Sequence, residues 1–193
     1  KMQNWSEKQW RELRAVYLGM CARVDHQFGL LIDSLKLKNI YDNSLIIFLS
    51  DHGDFTGDYG LVEKTQNTFQ DCLSKIPLII KPPFAHKNKK GVRDDLVELI
   101  DFTATVYDYA DITPSYWHFG NSLRNLLENN NDNLRDAVFC EGGRLKKEEQ
   151  ASEKESLNKG SNLGLYSPRV SLQVKEDDQL MHTKATMCRT KDF

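Results

Sequence analysis

The sequence is short of the features that would mark most specialised classes. Its 193 residues hold five prolines, 11 glycines and four cysteines. Cys21, Cys72, Cys140 and Cys188 are scattered, with no Cys-x-x-Cys pair, so zinc ribbons and thioredoxin-type redox motifs are excluded and free thiols are expected. No run approaches the roughly 20 apolar residues that span a bilayer, so no membrane partner is expected. The start, Lys1-Met2-Gln3-Asn4-Trp5, lacks signal-peptide anatomy. A cytoplasmic setting is the expectation, with a leader in a longer parent left open. Nor is there an excess of positive charge: 26 basic residues stand against 28 acidic ones, a formal net charge of −2. That balance gives no electrostatic case for nucleic acid as a partner.

What is present has the texture of a globular chain long enough for one ordinary domain, or one domain and part of another. Ser6 and Gln9 form a capping box, and Trp10, Leu13, Tyr17, Met20, Val24, Leu31 and Leu35 follow at helical spacing. The pattern predicts a long helix with one buried stripe, ending near Lys38-Asn39. Asp42-Asn43 signals a turn. Leu45 to Leu49 and Ile76 to Ile80 are unbroken apolar runs, suited to strands covered on both faces as in a parallel sheet; Pro82-Pro83 stops the second. Asp94 or Asp95 can cap a helix burying Leu96, Leu99, Ile100, Thr103, Val106 and Tyr107 and ending before Thr113-Pro114.

Helix, strand, strand, helix argues for part of an α/β sandwich over residues 1–134. After the Asn-rich loop of residues 129–133 the texture changes. Ala137 to Glu141, Arg169 to Val174 and Ala185 to Thr190 read as strands without intervening helices. Residues 135–193 are therefore expected to form an incomplete small antiparallel subdomain. Lys146 to Ser161, charged and poor in apolar residues, reads as a mobile excursion.

The chemistry concentrates directly after the first apolar run, at Ser50-Asp51-His52-Gly53-Asp54. Ligands of open α/β sheets sit beyond the carboxyl ends of strands. Asp51 and His52 offer an oxygen and a nitrogen donor that suit a divalent cation, and Gly53 lets the chain turn sharply. A plain turn with Asp51 satisfying backbone amides is the competing reading of these residues alone. A calcium-binding helix-loop-helix is excluded, because Gly53 and Phe55 fall where oxygen donors are needed and Thr56 where glycine is needed.

The continuation separates the two readings. SDHGDFTGDYGLVEK, residues 50–64, resembles the late active-site motif of the sulfatase family within the alkaline phosphatase superfamily: Ser-Asp-His/Asn-Gly, then Gly-x-x-Gly-x-x-x-Lys. Asp51, His52, Gly53, Gly57, Gly60 and Lys64 stand at the expected spacing. Upstream, the helix YLGMCARVDHQFGLLIDSL resembles the one preceding this strand, with Tyr17, Asp25 and Gly29 in place. Downstream, KIPLIIKPP, DLVELIDFTATVYDYADITP, FGNSLRNLL, VFCEGG and ATMCRTKDF follow in the family's order.

The resemblance implies part of an alkaline-phosphatase-like mixed or parallel sheet flanked by helices. It also implies a metal-dependent sulfuric ester hydrolase, with Asp51 and His52 as metal ligands and Lys64 reaching the sulfate oxygens. Calcium is the ion the family uses most, and His52 leaves manganese or zinc open. The substrate would be a small-molecule or carbohydrate sulfate ester. Phosphonate monoesters and phosphodiesters are the alternative within the superfamily, and a non-catalytic module with an inherited fold is the alternative outside it.

The family's nucleophile, a formylglycine made from Cys or Ser in C/S-x-P/A-x-R, has no counterpart here. Cys140-Glu141-Gly142-Gly143-Arg144 has glycine at the third position and follows the metal segment rather than preceding it. The paired aspartates of the family's first strand are also absent, so truncation at both ends is expected, and no turnover from the chain alone. Asp25 and His26 read as helix-face residues, Asp54 and Asp58 as loop-stabilising ones, and His118 as a packing histidine.

Overall fold

The computed structural model describes residues 5–64, 68–84, 90–128, 133–143 and 184–192. These fall into two units. The first holds residues 5–64, 70–84, 90–128, 133–138 and 189–192; the second holds 68–69, 139–143 and 184–188.

The first unit opens with helix α1, Glu7–Leu37. Ser6 caps it: its hydroxyl accepts from Gln9 N at 3.4 Å while Gln9 Oε1 accepts from Ser6 N at 2.9 Å. No residue of α1 is fully buried. Trp10, Leu13, Tyr17, Phe28, Ile32 and Leu35 are half-buried, whereas Met20, Val24 and Leu31 of the expected stripe are more than half exposed. At 3.6 residues per turn Phe28 comes back to the face of Trp10, so the helix keeps one face throughout, and that face lapses into exposure between Tyr17 and Phe28. Phe28 meets Phe48 at a centroid distance of 5.0 Å and ties the helix to the first strand.

Strand β1, Ile46–Leu49, pairs antiparallel with β4, Leu78–Lys81, in the register Ile46↔Lys81 to Leu49↔Leu78. The two apolar runs are thus antiparallel neighbours within a mixed α/β fold, and both are half-exposed rather than covered on both faces. Pro77 precedes β4, as a residue without a ladder donor should. Lys81 Nζ donates to the carbonyls of Tyr41, Asp42 and Ser44 at 2.6, 3.1 and 3.1 Å, closing the turn before β1. Between these strands lie β2 (Phe55–Thr56), a single 3₁₀ turn (Asp58–Gly60), β3 (Val62–Glu63) and the short helix α2 (Asp71–Ser74). β2 and β3 pair antiparallel.

Helix α3 runs Asp101–Tyr109 rather than starting at Asp94 or Asp95, and α4 is Arg124–Glu128. The initiating carboxylate belongs to Asp101, which reaches back to the backbone N–H of Glu98 at 2.8 Å, as the third residue of a capping box does. Long-range partners select it: Asp101 also accepts from Asn121 N at 2.9 Å and from both terminal nitrogens of Arg135 at 2.5 and 2.7 Å. The buried face is accordingly Asp101, Ala104 and Thr105, while Leu99 and Ile100 are about half exposed. Leu123 and Leu126 complete this core.

Strands β5, Ala137–Gly142, and β6, Ala185–Thr190, pair in a two-stranded sheet near the expected positions. The expected strand Arg169 to Val174 and the excursion Lys146 to Ser161 lie outside the described residues, as does most of the Asn-rich loop. All four cysteines are free. Among the described residues no helix is long and apolar enough to cross a membrane.

Candidate functional site

Ser50, Asp51, His52 and Gly53 emerge from the carboxyl end of β1. Ser50 Oγ donates to the carbonyl of His52 at 2.7 Å, and His52 N donates to Asp51 Oδ1 at 2.9 Å. These short contacts fold the segment so that its acidic and imidazole side chains face each other, with His52 Nε2 3.5 Å from Asp51 Oδ2. His52 Nδ1 lies 2.9 Å from the carbonyl of Gly53. A carbonyl can only accept, so Nδ1 carries the hydrogen, and in the neutral form of the ring Nε2 is left with a bare lone pair on the side of Asp51. This is the tautomer a metal ligand needs.

Asp51 is held below the usual carboxylate range, first by the hydrogen bond from the His52 backbone and further by the charges of the protonated form of His52 and of Lys64. Its side chain is 80% exposed and that of His52 36%, so the two donors are open to a ligand.

Gly53 does not serve as a sharp left-handed turn, contrary to expectation; its φ is not positive. It is needed because another backbone passes close by. Its N–H donates to the carbonyl of Leu73 at 2.8 Å, and a Cβ there would stand 1.9 Å from the carbonyl oxygen of Cys72. The α2 segment is thus laid against the Asp-His turn. Nothing in the local sequence announces this, although a glycine beside two chemical residues is the signal of a close approach.

Positive φ appears in the next segment instead, at Gly57 (110°) and Gly60 (66°), with Tyr59 at 55° and Glu63 at 63°. The turn is closed by Gly57 N to Leu61 O, Gly60 N to Gly57 O and Leu61 N to Asp58 O, each at 3.0 Å. Asp58 Oδ2 accepts from Thr56 N at 3.2 Å, the loop-stabilising role expected of it. Lys64 directly follows β3, and its charge reaches Asp51.

Asp25 and His26 are exposed on α1. His118 sits beside the rings of Tyr107 and Tyr116 at 6.4 and 6.2 Å, with Nδ1 buried and unpartnered among the described residues. Cys140 lies half-buried on β5, where burial pushes its thiol pKa up, the reverse of nucleophile activation.

A divalent cation would fit between Asp51 and His52: a carboxylate oxygen and, in the neutral ring, a free nitrogen stand 3.5 Å apart, close enough to share one ion at bond lengths of about 2.0–2.5 Å. Among the described residues no cluster of three or more His, Cys, Asp or Glu converges on one point.

Comparison with known proteins places the fold and the family. A crystal structure of the phosphonate monoester hydrolase of Agrobacterium radiobacter superposes on 79% of this chain and 30% of its own, with a TM-score of 0.68 and 29% identity. The architecture is that of the alkaline-phosphatase-like hydrolases. Within that class the Sulfatase family model matches residues 1–112, and the chain belongs to the sulfatase family.

It is 32% identical to the arylsulfatase of Clostridium perfringens over 138 residues, 70% of this chain and 28% of that protein. It is also 32% identical to the N-acetylglucosamine-6-O-sulfatase of Bacteroides thetaiotaomicron over 114 residues, 58% of this chain and 20% of that protein. The chain therefore spans less than a third of the length of these relatives.

Proposed function

We propose that these residues form part of a metal-dependent sulfuric ester hydrolase, in which Asp51 and His52 hold a divalent cation and Lys64 binds the ester. The observation that carries this reading is the His52 Nδ1 hydrogen bond to the Gly53 carbonyl, which in the neutral ring leaves Nε2 free to coordinate, 3.5 Å from the Asp51 carboxylate. Calcium is the first choice of ion, with manganese and zinc as alternatives that imidazole also suits. When bound, the ion would neutralise charge on the ester's oxygens.

The chain's own contribution is positional and electrostatic. Asp51 supplies an anchoring negative charge. His52 is oriented by the Gly53 carbonyl so that it does not have to reorganise on binding. Lys64 places an ammonium where the non-bridging and leaving oxygens gain charge as the bond breaks. The remaining metal ligands and a formylglycine nucleophile are assigned to sequence outside these 193 residues. The substrate is a small-molecule or carbohydrate sulfate ester, a choice supported by the N-acetylglucosamine-6-O-sulfatase among the relatives.

Phosphonate monoesters are the second reading, favoured by the structural likeness to the Agrobacterium radiobacter hydrolase. The two ester types share tetrahedral shape and differ in charge.

The full-length protein containing this chain, assayed on an aryl sulfate and an aryl phosphonate, separates them by the ratio of kcat/KM. Asp51→Ala and Lys64→Ala should each lower kcat/KM on the preferred ester by roughly a thousandfold, as loss of several kcal/mol of transition-state stabilisation requires. Full activity in both variants would remove Asp51 and Lys64 from the site. No activity on either ester in the wild type would favour a non-catalytic module. The 193-residue chain alone should show no turnover and only weak divalent binding by calorimetry, because two ligands leave water competing for the other positions.

A further inference from the structure

Among the described residues one cation, Arg14, holds the hairpin that ends at Lys64 from outside it. Arg14, in the second turn of α1, donates from Nε to the carbonyl of Thr56 at 3.1 Å. The N–H of the same residue donates to Asp58 Oδ2 at 3.2 Å, so both backbone polar groups of Thr56 are held by charged side chains. Beside it, a Cβ at Gly57 would lie 2.9 Å from Arg14 Nη2 and 3.0 Å from Trp10 Cε3, so the helix face and the loop are in close contact there.

What Arg14 holds is mechanically joined to Lys64. Thr56 pairs with Val62 and Phe55 with Glu63, and Lys64 is the next residue. Phe55, 1% exposed, anchors the base of the hairpin, and its ring meets Tyr59 edge-on at 6.2 Å. Tyr59 and Glu63 both occupy the left-handed region, with φ of 55° and 63°. Non-glycine residues stay there only where their surroundings over-determine them. The hairpin is therefore a segment whose shape is imposed, and the imposing contact from α1 is the guanidinium.

We infer that Arg14 is a positioning residue: by holding the Thr56 carbonyl it sets where β3 ends and hence how far the Lys64 ammonium stands from the Asp51–His52 pair. This rests on the ester-hydrolase reading above. A single exposed hydrogen bond contributes little to folding, but catalysis is sensitive to displacements of about 1 Å. Arg14 should therefore matter more for rate than for stability. It should also matter through Lys64 and not through the metal ligands, which the Cys72–Leu73 backbone holds independently.

The test is a kinetic cycle in the full-length protein with Arg14→Ala, Lys64→Ala and the double variant, using an aryl sulfate. Arg14→Ala should lower kcat by on the order of 10- to 100-fold, with calcium affinity by calorimetry unchanged. Because both changes act through one group, the double variant should be no slower than Lys64→Ala alone. Added guanidinium should restore part of the Arg14→Ala rate. Arg14→Lys, which keeps the charge but loses the planar fork, should fall between wild type and alanine, and it carries the same cycle if the alanine variant folds poorly.

Wild-type kcat in Arg14→Ala, or losses that multiply in the double variant, would overturn the positioning role while leaving the ester-hydrolase reading intact. Wild-type kcat in Lys64→Ala would overturn the positioning role together with the assignment of Lys64 to the ester, and no turnover by the wild-type full-length protein would overturn the ester-hydrolase reading itself.

Discussion

Two carboxylates in this chain are treated in opposite ways. Asp101 is fully buried and meets four donors: the amides of Glu98 and Asn121 and both terminal nitrogens of Arg135. Thr105, also fully buried, donates to the Asp101 carbonyl at 2.7 Å and accepts from Leu123 N at 3.0 Å, and Leu123, Leu126 and Ala104 close around them. Asp51 has an 80% exposed side chain, one backbone donor, and a neighbouring imidazole that donates nothing to it in the neutral form. Saturating a carboxylate's lone pairs makes a structural knot, because breaking any contact strands a buried charge. Leaving them unfilled beside a nitrogen donor suits the proposed cation site, because an incoming cation would displace only solvent there. The fold places its polar saturation around α3 and keeps the end of β1 open.

The contrast is broken most strongly at Asp101. Asp101→Ala leaves the Arg135 guanidinium, 12% exposed, without its main partner, and should cost about 3–5 kcal/mol in urea unfolding. Adding Arg135→Met should recover much of that loss; no recovery would mean that the backbone amides, rather than the ion pair, carry the knot.

Gly53→Ala is next. A Cβ 1.9 Å from the Cys72 carbonyl forces the two backbones apart, which should cost about 1–3 kcal/mol and weaken divalent binding by turning His52. Calorimetry showing unchanged affinity would mean the Asp-His geometry does not depend on the α2 segment.

A smaller effect is expected at the cap of α1, a helix with no fully buried residue. Ser6→Ala should lower stability by about 1 kcal/mol, visible as lost helicity on thermal scanning by circular dichroism.

The smallest effect is the titration of Asp51, whose pKa is lowered from the ordinary 3.8. A carboxylate with a depressed folded-state pKa contributes stability above its unfolded pKa and loses it as pH falls through the folded one. An NMR titration should therefore place the Asp51 midpoint below 3.8, and Lys64→Ala should raise it. A midpoint at or above the ordinary value would mean that the His52 amide does not hold the carboxylate.

Much of this was legible along the chain because it depends on near neighbours. The Ser6 and Gln9 box satisfies amides three residues apart, Ala185 to Thr190 reads as a strand and is β6, and the Asp51–His52 contact joins adjacent residues. The start of α3 was misplaced because Asp94, Asp95 and Asp101 are equivalent as local caps. Arg135, 34 residues further on, distinguishes them. The stripe on α1 was half right for a similar reason: periodicity gives a face, but contact with Phe48 sets where along the helix that face is used.

Residue order alone determined the motif: which donors follow the first strand, how many residues separate them from Lys64, and where glycine permits positive φ. Those properties are set by covalent spacing and local sterics. Tertiary structure decided which aspartate became a buried knot, that Gly53 is required by the Cys72 carbonyl rather than by a turn, and that Arg14 reaches the Lys64 hairpin. Each of these is a contact between segments at least 19 residues apart, and only the folded backbone brings such segments within hydrogen-bonding range.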